Sequence, residues 1–522
     1  MNKNFDKQSF PLRCQFLFRL AFFGLLLVTV QLACSRTPGT PAAPWSASDA
    51  ASSAPEKHPT AAVNIPVVRK PEDPIYTPTP DKPRLLPTPR TEPEEYFVQA
   101  GDTLGTIADR YGIGLDAMVE ANNLSNPNLL EVGQTLLIPP PVLDRPGSAF
   151  KIIPDSELVY GPLSAGFDFS GFITAQGGYL AGYSEEVEGV AMTGAQIVER
   201  VAQEFSVNPR LLLAVLEYQS RWVTQANPAA ETLDYPVGLM EERYKGLYMQ
   251  LAWAANSLNR GYYTWRVNGI GVWPMGGGIS VPIDPTINAG TAGVQGFFAL
   301  LFSRPNWDEA VSEAGIFKTY QSFFGYPFDL AVEPLLPNGM MQPRLQLPFE
   351  PGVEWSYTGG PHGAWGSGSA WGALDFAPPG EGLGCIPSDA WVVAVADGKI
   401  LRAGNGAVVQ ELDEDGLEQT GWVVLYMHIE SRERVQAGAF LRAGERIGHP
   451  SCEGGFSSGT HVHIARKYNG EWLSADQTIP FILDGWVSRG TGVEYDGFLQ
   501  RNQDIVEAIE GAFPENQIKR EP

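Results

Sequence analysis

Five of the six histidines in this 522-residue chain lie in its last third, and four of them have spacings that suit metal-dependent hydrolysis. His461 and His463 flank a valine, His428 ends an apolar run, and His362 precedes Asp375 by 13 residues. A catalytic zinc ion takes three nitrogen or oxygen ligands from the protein and keeps an open position for water. Two histidines and one aspartate complete that set, and two histidines remain to move protons. These residues therefore indicate a hydrolytic zinc site.

The histidines must be positioned by β-strands, because short apolar segments and glycine-rich turns fill this part of the chain. Side chains at i and i+2 of a strand face the same side, so His461 and His463 are predicted to point together. The same alternation predicts that Tyr426 and His428 share a face. Three glycines after His362 are expected to give the segment enough freedom to bring His362 close to Asp375; they are Gly366, Gly368 and Gly372.

Two dipeptides in the same region predict hairpin turns. Asp397-Gly398 interrupts the apolar run 391–400, and Asn469-Gly470 separates the candidate strands 461–467 and 471–473. The region 347–500 is therefore predicted to be a mostly antiparallel β domain, with residues 501–522 as a C-terminal tail.

This region resembles the M23 zinc metallopeptidases, of lysostaphin-like and β-lytic type. The matching segments are His362, Asp375-Phe-Ala-Pro378, Val395-Ala-Asp-Gly-Lys-Ile400, Tyr426-Met-His428, Gly444-Glu-Arg-Ile-Gly448 and Gly459-Thr-His-Val-His463. Trp371 stands where lysostaphin-type members carry a histidine, whereas the longer gap from His362 to Asp375 is similar to the β-lytic branch. The resemblance implies that His362, Asp375 and His463 bind Zn2+ and that His428 and His461 are the catalytic residues beside its open position.

Two cysteines and a fifth histidine lie near these motifs. Cys385 and Cys452 form either a disulfide or a pair of free buried thiols, and a disulfide requires an oxidising compartment. His449 is interpreted as a loop residue, with a contact to substrate as the alternative.

Residues 95–140 read as a compact β-α-α-β unit and resemble the LysM module. The matching residues are Val98, Gly101-Asp-Thr-Leu104, Ile107-Ala108, Tyr111-Gly112, Asn122, Asn126-Pro127, Leu129, Gly133-Gln134, Leu136 and Ile138-Pro139. The resemblance implies binding to glycans that contain N-acetylglucosamine, such as peptidoglycan. A folded spacer that binds nothing is the alternative.

Residues 158–340 are predicted to be mainly helical, with helical periodicity over 195–205, 208–218, 246–260 and 289–301. The segment 211–222 weakly resembles the catalytic helix of lysozyme-like transglycosylases. Gln219 occupies the position of the catalytic glutamate there and cannot donate a proton as a general acid, while Glu217 lies on another side of the helix. The domain is therefore interpreted as a degenerate lysozyme-like or other helical unit that holds glycan or is purely structural.

The N-terminus predicts export. Basic residues precede the 13-residue apolar run Leu20–Leu32, which is too short to span a membrane and is typical of a signal segment, here residues 1–33. Ala33-Cys34 is similar to the cleavage site of bacterial lipoproteins, which implies a lipid on Cys34 that anchors the chain at the membrane. Ordinary cleaved secretion and an uncleaved anchor are the alternatives.

A proline-rich tether is predicted over residues 34–94, where His58 is a solvated linker residue. The net charge of −23 excludes nucleic acid as a favoured partner, because phosphate binding requires basic surfaces.

Together these features and resemblances imply a multidomain protein of the cell envelope that carries a LysM domain, a helical domain and an M23 peptidase domain. Its predicted function is zinc-dependent hydrolysis of the peptide stems or cross-bridges of peptidoglycan. The alternative is a non-catalytic lipoprotein of the same domain types that activates cell-wall amidases.

Overall fold

The computed structural model describes residues 80–99, 102–380 and 384–521. The predicted signal segment, Cys34, His58 and the tether up to residue 79 lie outside the described residues. Within the described part, residues 80–90 run along the helical domain, where Asp81 N donates to Thr286 O and Arg84 Nε donates to Asn268 Oδ1. None of the described helices is both long and apolar enough to cross a bilayer.

The first compact unit has the predicted β-α-α-β order. Its elements are β1 (Glu94–Phe97), α1 (Leu104–Tyr111), α2 (Leu115–Ala121) and β2 (Thr135–Ile138). The two strands pair antiparallel, and alternate residues of β2 are buried, as expected for a small sheet with one face on a core. That core contains Ile107, Met118 and Leu136, so each of the two helices and the sheet contributes to it.

The middle unit is mainly helical, as predicted. Its elements in chain order are β3 (Val142–Leu143), α3 (Phe169–Gln176), β4 (Ser184–Val187), β5 (Val190–Thr193), α4 (Gly194–Phe205), α5 (Pro209–Ser220), α6 (Leu247–Arg266), β6 (Val272–Pro274), β7 (Ile279–Pro282), α7 (Ala289–Ala299), α8 (Arg304–Ala310) and α9 (Ile316–Phe324). Helix α4 begins with a capping box between Thr193 and Gln196, and α5 begins with Pro209 after an Asn208 cap. These local signals explain why the sequence predicted both helices to within two residues.

The C-terminal unit is built from antiparallel strands. They are β8 (Glu354–Gly363), β9 (Trp371–Ala377), β10 (Val392–Val393), β11 (Gly398–Gly404), β12 (Ala407–Glu411), β13 (Trp422–Met427), β14 (Phe440–Leu441), β15 (Arg446–Gly448), β16 (Val462–Tyr468), β17 (Glu471–Trp472), β18 (Ile482–Leu483), β19 (Trp486–Gly490), β20 (Gly497–Arg501), β21 (Asp504–Glu507) and β22 (Gln517–Lys519). The main sheet has the order β14-β11-β12-β13-β16-β9-β8-β22, with β17 added to β16. Strands β18 to β21 form a separate sheet.

The structure corrects two expectations for this unit. The dipeptide Asp397-Gly398 does not close a hairpin, because β10 pairs with β15 while β11 pairs with β12 and β14. Residues 501–522 are not a separate tail, because β22 is the edge strand of the main sheet and pairs with β8. The hairpin predicted across Asn469-Gly470 is confirmed by the pairing of β16 with β17.

The central strands of the main sheet are buried on both faces. All residues of β12 and β16 are buried, which requires a covering layer on each side. One face packs into the core of the helical unit, and its residues include Val409, Val423, Leu425 and Ala465. The other face packs into the C-terminal unit's own core, and its residues include Val408, Val424, Tyr426 and Ile464. The helical unit therefore forms one of the two layers that enclose the sheet.

Candidate functional site

Three neighbouring strands bring the predicted metal ligands together. His463 on β16 lies directly opposite Asp375 on β9, and β9 pairs in turn with β8, where His362 lies opposite Ala373. The β8–β9 register is irregular on both sides of His362. Such irregularities turn a strand locally, which here directs the His362 ring towards Asp375.

The glycines after His362 have a different role from the one predicted. A Cβ on Gly368 would lie 1.9 Å from the carbonyl oxygen of Asn256 on α6. The amide of Gly368 also donates to Asn256 Oδ1 at 2.8 Å. The turn between β8 and β9 is thus fixed against the helical unit, and strand pairing rather than chain flexibility brings His362 to Asp375.

The ligand atoms of these three residues form a tight triangle. His362 Nε2 lies 2.9 Å from His463 Nδ1, and each of these nitrogens lies 3.3 Å from Asp375 Oδ1. All three residues are buried, and Asp375 Oδ1 has no hydrogen-bond partner among the residues that the structure describes. A buried carboxylate oxygen without a partner is costly unless a cation or donor meets it.

This triangle fits a zinc ion. Two tetrahedral ligands at about 2.0–2.1 Å from zinc are roughly 3.3 Å apart, which agrees with the observed separations. The outer ring nitrogens of the two histidines face backbone carbonyls, His362 Nδ1 at 2.8 Å from Gly360 O and His463 Nε2 at 3.0 Å from Ala364 O. A proton held on each outer nitrogen leaves the inner nitrogen free to bind a metal.

His428 and His461 lie beside this triangle, with their ring centroids 4.4 Å apart. His461 Nε2 is 3.7 Å from Asp375 Oδ1. Their Nδ1 atoms also face carbonyls, His428 that of Glu453 at 3.1 Å and His461 that of Gly459 at 2.7 Å. All four imidazoles therefore have one nitrogen fixed by the backbone and the other available. His362, Asp375, His428, His461 and His463 are called the five-residue cluster below.

His428 reaches the cluster by a route that the sequence did not predict. Tyr426 faces the C-terminal core, where its hydroxyl donates to Gln410 Oε1 at 2.8 Å. His428 lies just beyond the end of β13 with φ of +62°, and its ring lies 6.1 Å from that of His463. The prediction that Tyr426 and His428 share a face was therefore wrong, because the left-handed backbone of His428 breaks the strand alternation.

Burial and neighbouring charges shift the pKa values of the cluster residues in different directions. Burial, together with His461, lowers the pKa of His428 to about 3, so this ring is neutral near pH 7. Burial alone would lower the pKa of His362, but the Asp375 carboxylate outweighs burial and raises it. Burial alone would raise the pKa of Asp375, but His362, His461 and His463 outweigh burial and hold it well below the usual range. The cluster thus combines a fixed negative charge with a neutral base.

Tyr495 is also part of this site, although no sequence pattern predicted it. Its ring stacks on His362 with centroids 4.2 Å apart, and Gly360 N donates to its carbonyl at 2.8 Å. The residue lies in the loop between β19 and β20, more than 30 positions after the last histidine. An aromatic residue in a glycine-flanked turn is common, so no local signal distinguished it.

The disulfide between Cys385 and Cys452 is present, which confirms that alternative. It joins the segment after residue 384 to the loop that leads to His461. Thr460 N also donates to Gly384 O at 3.1 Å, and Ser457 Oγ lies 3.3 Å from His461 Nδ1. The crosslink therefore supports the backbone on which His461 is held.

His449 lies outside the cluster. Its Nδ1 is 2.9 Å from Ala390 O, its Nε2 is 3.1 Å from Glu433 Oε2, and its ring packs on Trp391. Both ring nitrogens are thus occupied in the described structure.

The helix with the weak transglycosylase resemblance is α5. The Glu217 carboxylate accepts hydrogen bonds from the hydroxyl and the amide of Thr224, at 2.6 and 3.1 Å, and so is tied to the following turn.

Family comparisons agree with these three units. Residues 96–139 match the LysM domain, residues 151–336 match the "LasA, N-terminal domain" and residues 383–475 match "Peptidase family M23". The chain therefore contains a LysM domain, a LasA-type middle domain and an M23 peptidase domain. The M23 match includes His428, His461 and His463, whereas His362 and Asp375 precede it.

Individual relatives are similar in sequence to part of this chain. The beta-lytic metalloendopeptidase of Achromobacter lyticus is 32% identical over 168 residues, which are 31% of this chain and 41% of that protein. Protease LasA of Pseudomonas aeruginosa is 24% identical over 340 residues, which are 61% of this chain and 74% of that protein. Among solved structures, the M23 metalloprotease pseudoalterin is 26% identical, with a TM-score of 0.28, and the match covers 34% of this chain and 99% of that one. The chain thus spans less than half the length of the Achromobacter relative.

Proposed function

We propose that this protein is a zinc metalloendopeptidase of the cell envelope that hydrolyses the peptide stems or cross-bridges of peptidoglycan. The observation that carries the proposal is the five-residue cluster, in which three buried ligand atoms form a triangle of zinc-binding size and two further imidazoles stand beside it. In this proposal His362, Asp375 and His463 hold the metal, and His428 and His461 are the catalytic residues.

The metal would supply the electrophile of the reaction: when bound, zinc lowers the pKa of a water molecule and polarises a peptide carbonyl. The protein supplies the proton transfers. His428 Nδ1 faces the carbonyl of Glu453, so Nε2 is the atom that would accept a proton from the attacking water. His461 Nδ1 faces the carbonyl of Gly459, so Nε2 is the atom that would donate a proton to the leaving amine.

The LysM domain would hold the enzyme on its substrate. Binding to N-acetylglucosamine units of the glycan raises the local concentration of peptide stems around the peptidase domain. The disulfide between Cys385 and Cys452 supports an oxidising location outside the cytoplasm. In the full proposal a lipid on Cys34 anchors the chain at the outer face of the membrane.

Zinc analysis combined with digestion of purified peptidoglycan tests this function. We expect one zinc ion per wild-type chain and new peptide amines in the released muropeptides, identified by mass spectrometry. His463→Ala should lose both the zinc and the cleavage. His428→Ala should keep the zinc and lose the cleavage by a factor of about 100 or more, because it removes the proposed base.

His449→Gln is the matched control, since His449 is a buried histidine of the same domain that lies outside the cluster. It should keep both the zinc and the cleavage. A wild-type protein that binds the wall but contains no zinc and releases no new amines would overturn the proposal and favour the amidase-activator alternative.

A further inference from the structure

The loop between β12 and β13 gathers three carboxylates that the proposed function does not use. They belong to Glu411, Asp413 and Asp415, and one oxygen of each lies within 4.8 Å of the other two. No ion pair joins any of the three to a lysine or arginine of the described residues, although Lys399 lies opposite Glu411 in the pairing of β11 with β12. The group therefore concentrates three carboxylates, and Lys399 attracts Glu411 without forming an ion pair with it.

Two oxygens of this group are buried without a partner. Glu411 is completely buried; its Oε1 accepts a hydrogen bond from Gly416 N at 2.7 Å, but its Oε2 has no hydrogen-bond partner within the described part of the chain. Asp413 Oδ1 is likewise buried and unpartnered. An unpaired buried carboxylate is costly, so this arrangement indicates a missing positive charge.

The remaining contacts hold the carboxylates in place. A Cβ on Gly421, which has φ of +57°, would lie 1.5 Å from Asp413 Oδ2, so only glycine leaves room for that carboxylate. Asp415 Oδ1 accepts a hydrogen bond from Leu417 N at 2.9 Å, and its Oδ2 accepts one from Thr420. The loop is thus organised around the oxygens before any ligand binds.

The chemistry of the donors selects the cation. Only oxygen atoms are offered, which suits a hard cation and not zinc. Ligands at about 2.3–2.6 Å from one calcium ion are at most roughly 5 Å apart, which the observed spread satisfies. Asp415 is exposed, so water can complete the six to eight positions that calcium takes.

We infer that the β12–β13 loop is a calcium site whose ligands are Glu411, Asp413 and Asp415. The site is separate from the five-residue cluster, because Gly421 and His428 lie at opposite ends of β13, whose six residues span roughly 20 Å. It borders the contact with the helical unit: Gly421 N donates to Asn469 Oδ1 at 2.9 Å, and Asn469 Nδ2 donates to Leu335 O at 3.0 Å. Calcium would therefore stabilise the loop at that contact.

Calcium titration of the purified full chain tests the inference, after treatment with a chelator and reloading with one equivalent of zinc. Isothermal titration should show one saturable calcium site, and Mg2+ should bind more weakly. Asp413→Asn should weaken calcium binding at least tenfold and leave the zinc content unchanged. Without calcium, Asp413→Asn should melt at the same temperature as the wild type or higher, because it relieves repulsion; with calcium, the wild type should melt higher.

Glu414→Gln is the matched control, since Glu414 is an exposed residue of the same loop and is not among the three ligands. It should leave calcium binding unchanged. Asp415→Asn, at an exposed position, provides a second ligand variant if Asp413→Asn does not fold. The inference fails if about 10 mM Ca2+, above the range of weak extracellular sites, gives neither heat nor a shift in melting temperature. It fails equally if Glu414→Gln weakens binding as much as Asp413→Asn, since binding would then be a general property of the acidic surface.

Discussion

Glu418 connects the sheet to the helical unit through two cations, and neutralising it should destabilise the protein by about 3 kcal/mol. Its carboxylate lies 2.7 Å from Arg402 Nε and 2.7 Å from Lys467 Nζ. Glu418 is 7% exposed and Lys467 is 3% exposed, and Lys467 also donates to Ser206 of the helical unit. Glu418→Gln would leave the Lys467 charge buried without its counter-ion.

The expected magnitude follows from the pKa of Glu418. Burial alone would raise it from 4.5, but Arg402 and Lys467 outweigh burial and lower it to about 2. A pKa lowered to this extent corresponds to about 3 kcal/mol of stability. Burial lowers the pKa of Lys467 despite the same contact, so keeping this lysine charged in the folded state costs stability and offsets part of that gain. Two cations face Glu418, so its replacement is expected to cost about 3 kcal/mol, the lower end of the range for breaking a buried pair.

Guanidinium unfolding, followed by tryptophan fluorescence, measures this loss in wild type and Glu418→Gln. Because the folded-state pKa is lowered, the stabilisation is complete above about pH 4.5 and is lost as the pH falls towards about 2. The difference between the two proteins should therefore shrink across that window. Glu414→Gln removes the same charge from an exposed position and should change stability by less than about 0.5 kcal/mol.

A difference in unfolding free energy below about 1 kcal/mol at pH 7 would refute the reasoning, because removing one partner of a buried ion pair should destabilise the protein by more than that. A difference that stays constant down to pH 2 would refute it as well, since the effect would then not depend on the Glu418 charge.

Contacts around the five-residue cluster lead to three further predictions. Gly368→Ala should destabilise the protein by about 1–3 kcal/mol and reduce cleavage, because the new Cβ would overlap the carbonyl of Asn256; thermal unfolding and muropeptide release measure the two effects. Tyr495→Ala removes a ring that stacks on His362 and should weaken zinc binding roughly threefold to tenfold in a competition with a chelator, whereas Tyr495→Phe should keep the affinity. Reducing Cys385–Cys452, which closes a 67-residue loop, should cost about 4 kcal/mol of unfolding free energy, and a reduced protein as stable as the oxidised one would contradict this.

The helical unit has a structural consequence for the peptidase domain. The sheet face that carries Val409, Val423 and Leu425 shares a core with the helices, and α6 fixes the turn that follows His362. Exposing that face to water would cost about 25 cal/mol for each Å² of apolar surface. The interpretation of this unit as structural therefore gains a physical basis, while the prediction that it holds glycan remains a prediction.

The sequence determined the features that depend on short-range physical chemistry. The caps and apolar period of α4 and α5 define these helices locally, and the LysM unit is small enough for its own pattern to specify it. Residue chemistry also indicated the cluster, because imidazoles two positions apart on a strand face one way whatever the partner strand is. The five residues could therefore be identified from the sequence before the fold was known.

Only the tertiary structure decided how remote segments pair and what they enclose. The strand after Asp397-Gly398 pairs with β12 and β14 instead of turning back, and β22 returns from the end of the chain to pair with β8. The left-handed backbone of His428 and the ring of Tyr495 on His362 likewise depend on contacts across long sequence separations. Strand partners and register depend on which strand faces become buried together. That burial is established only when the whole chain has folded.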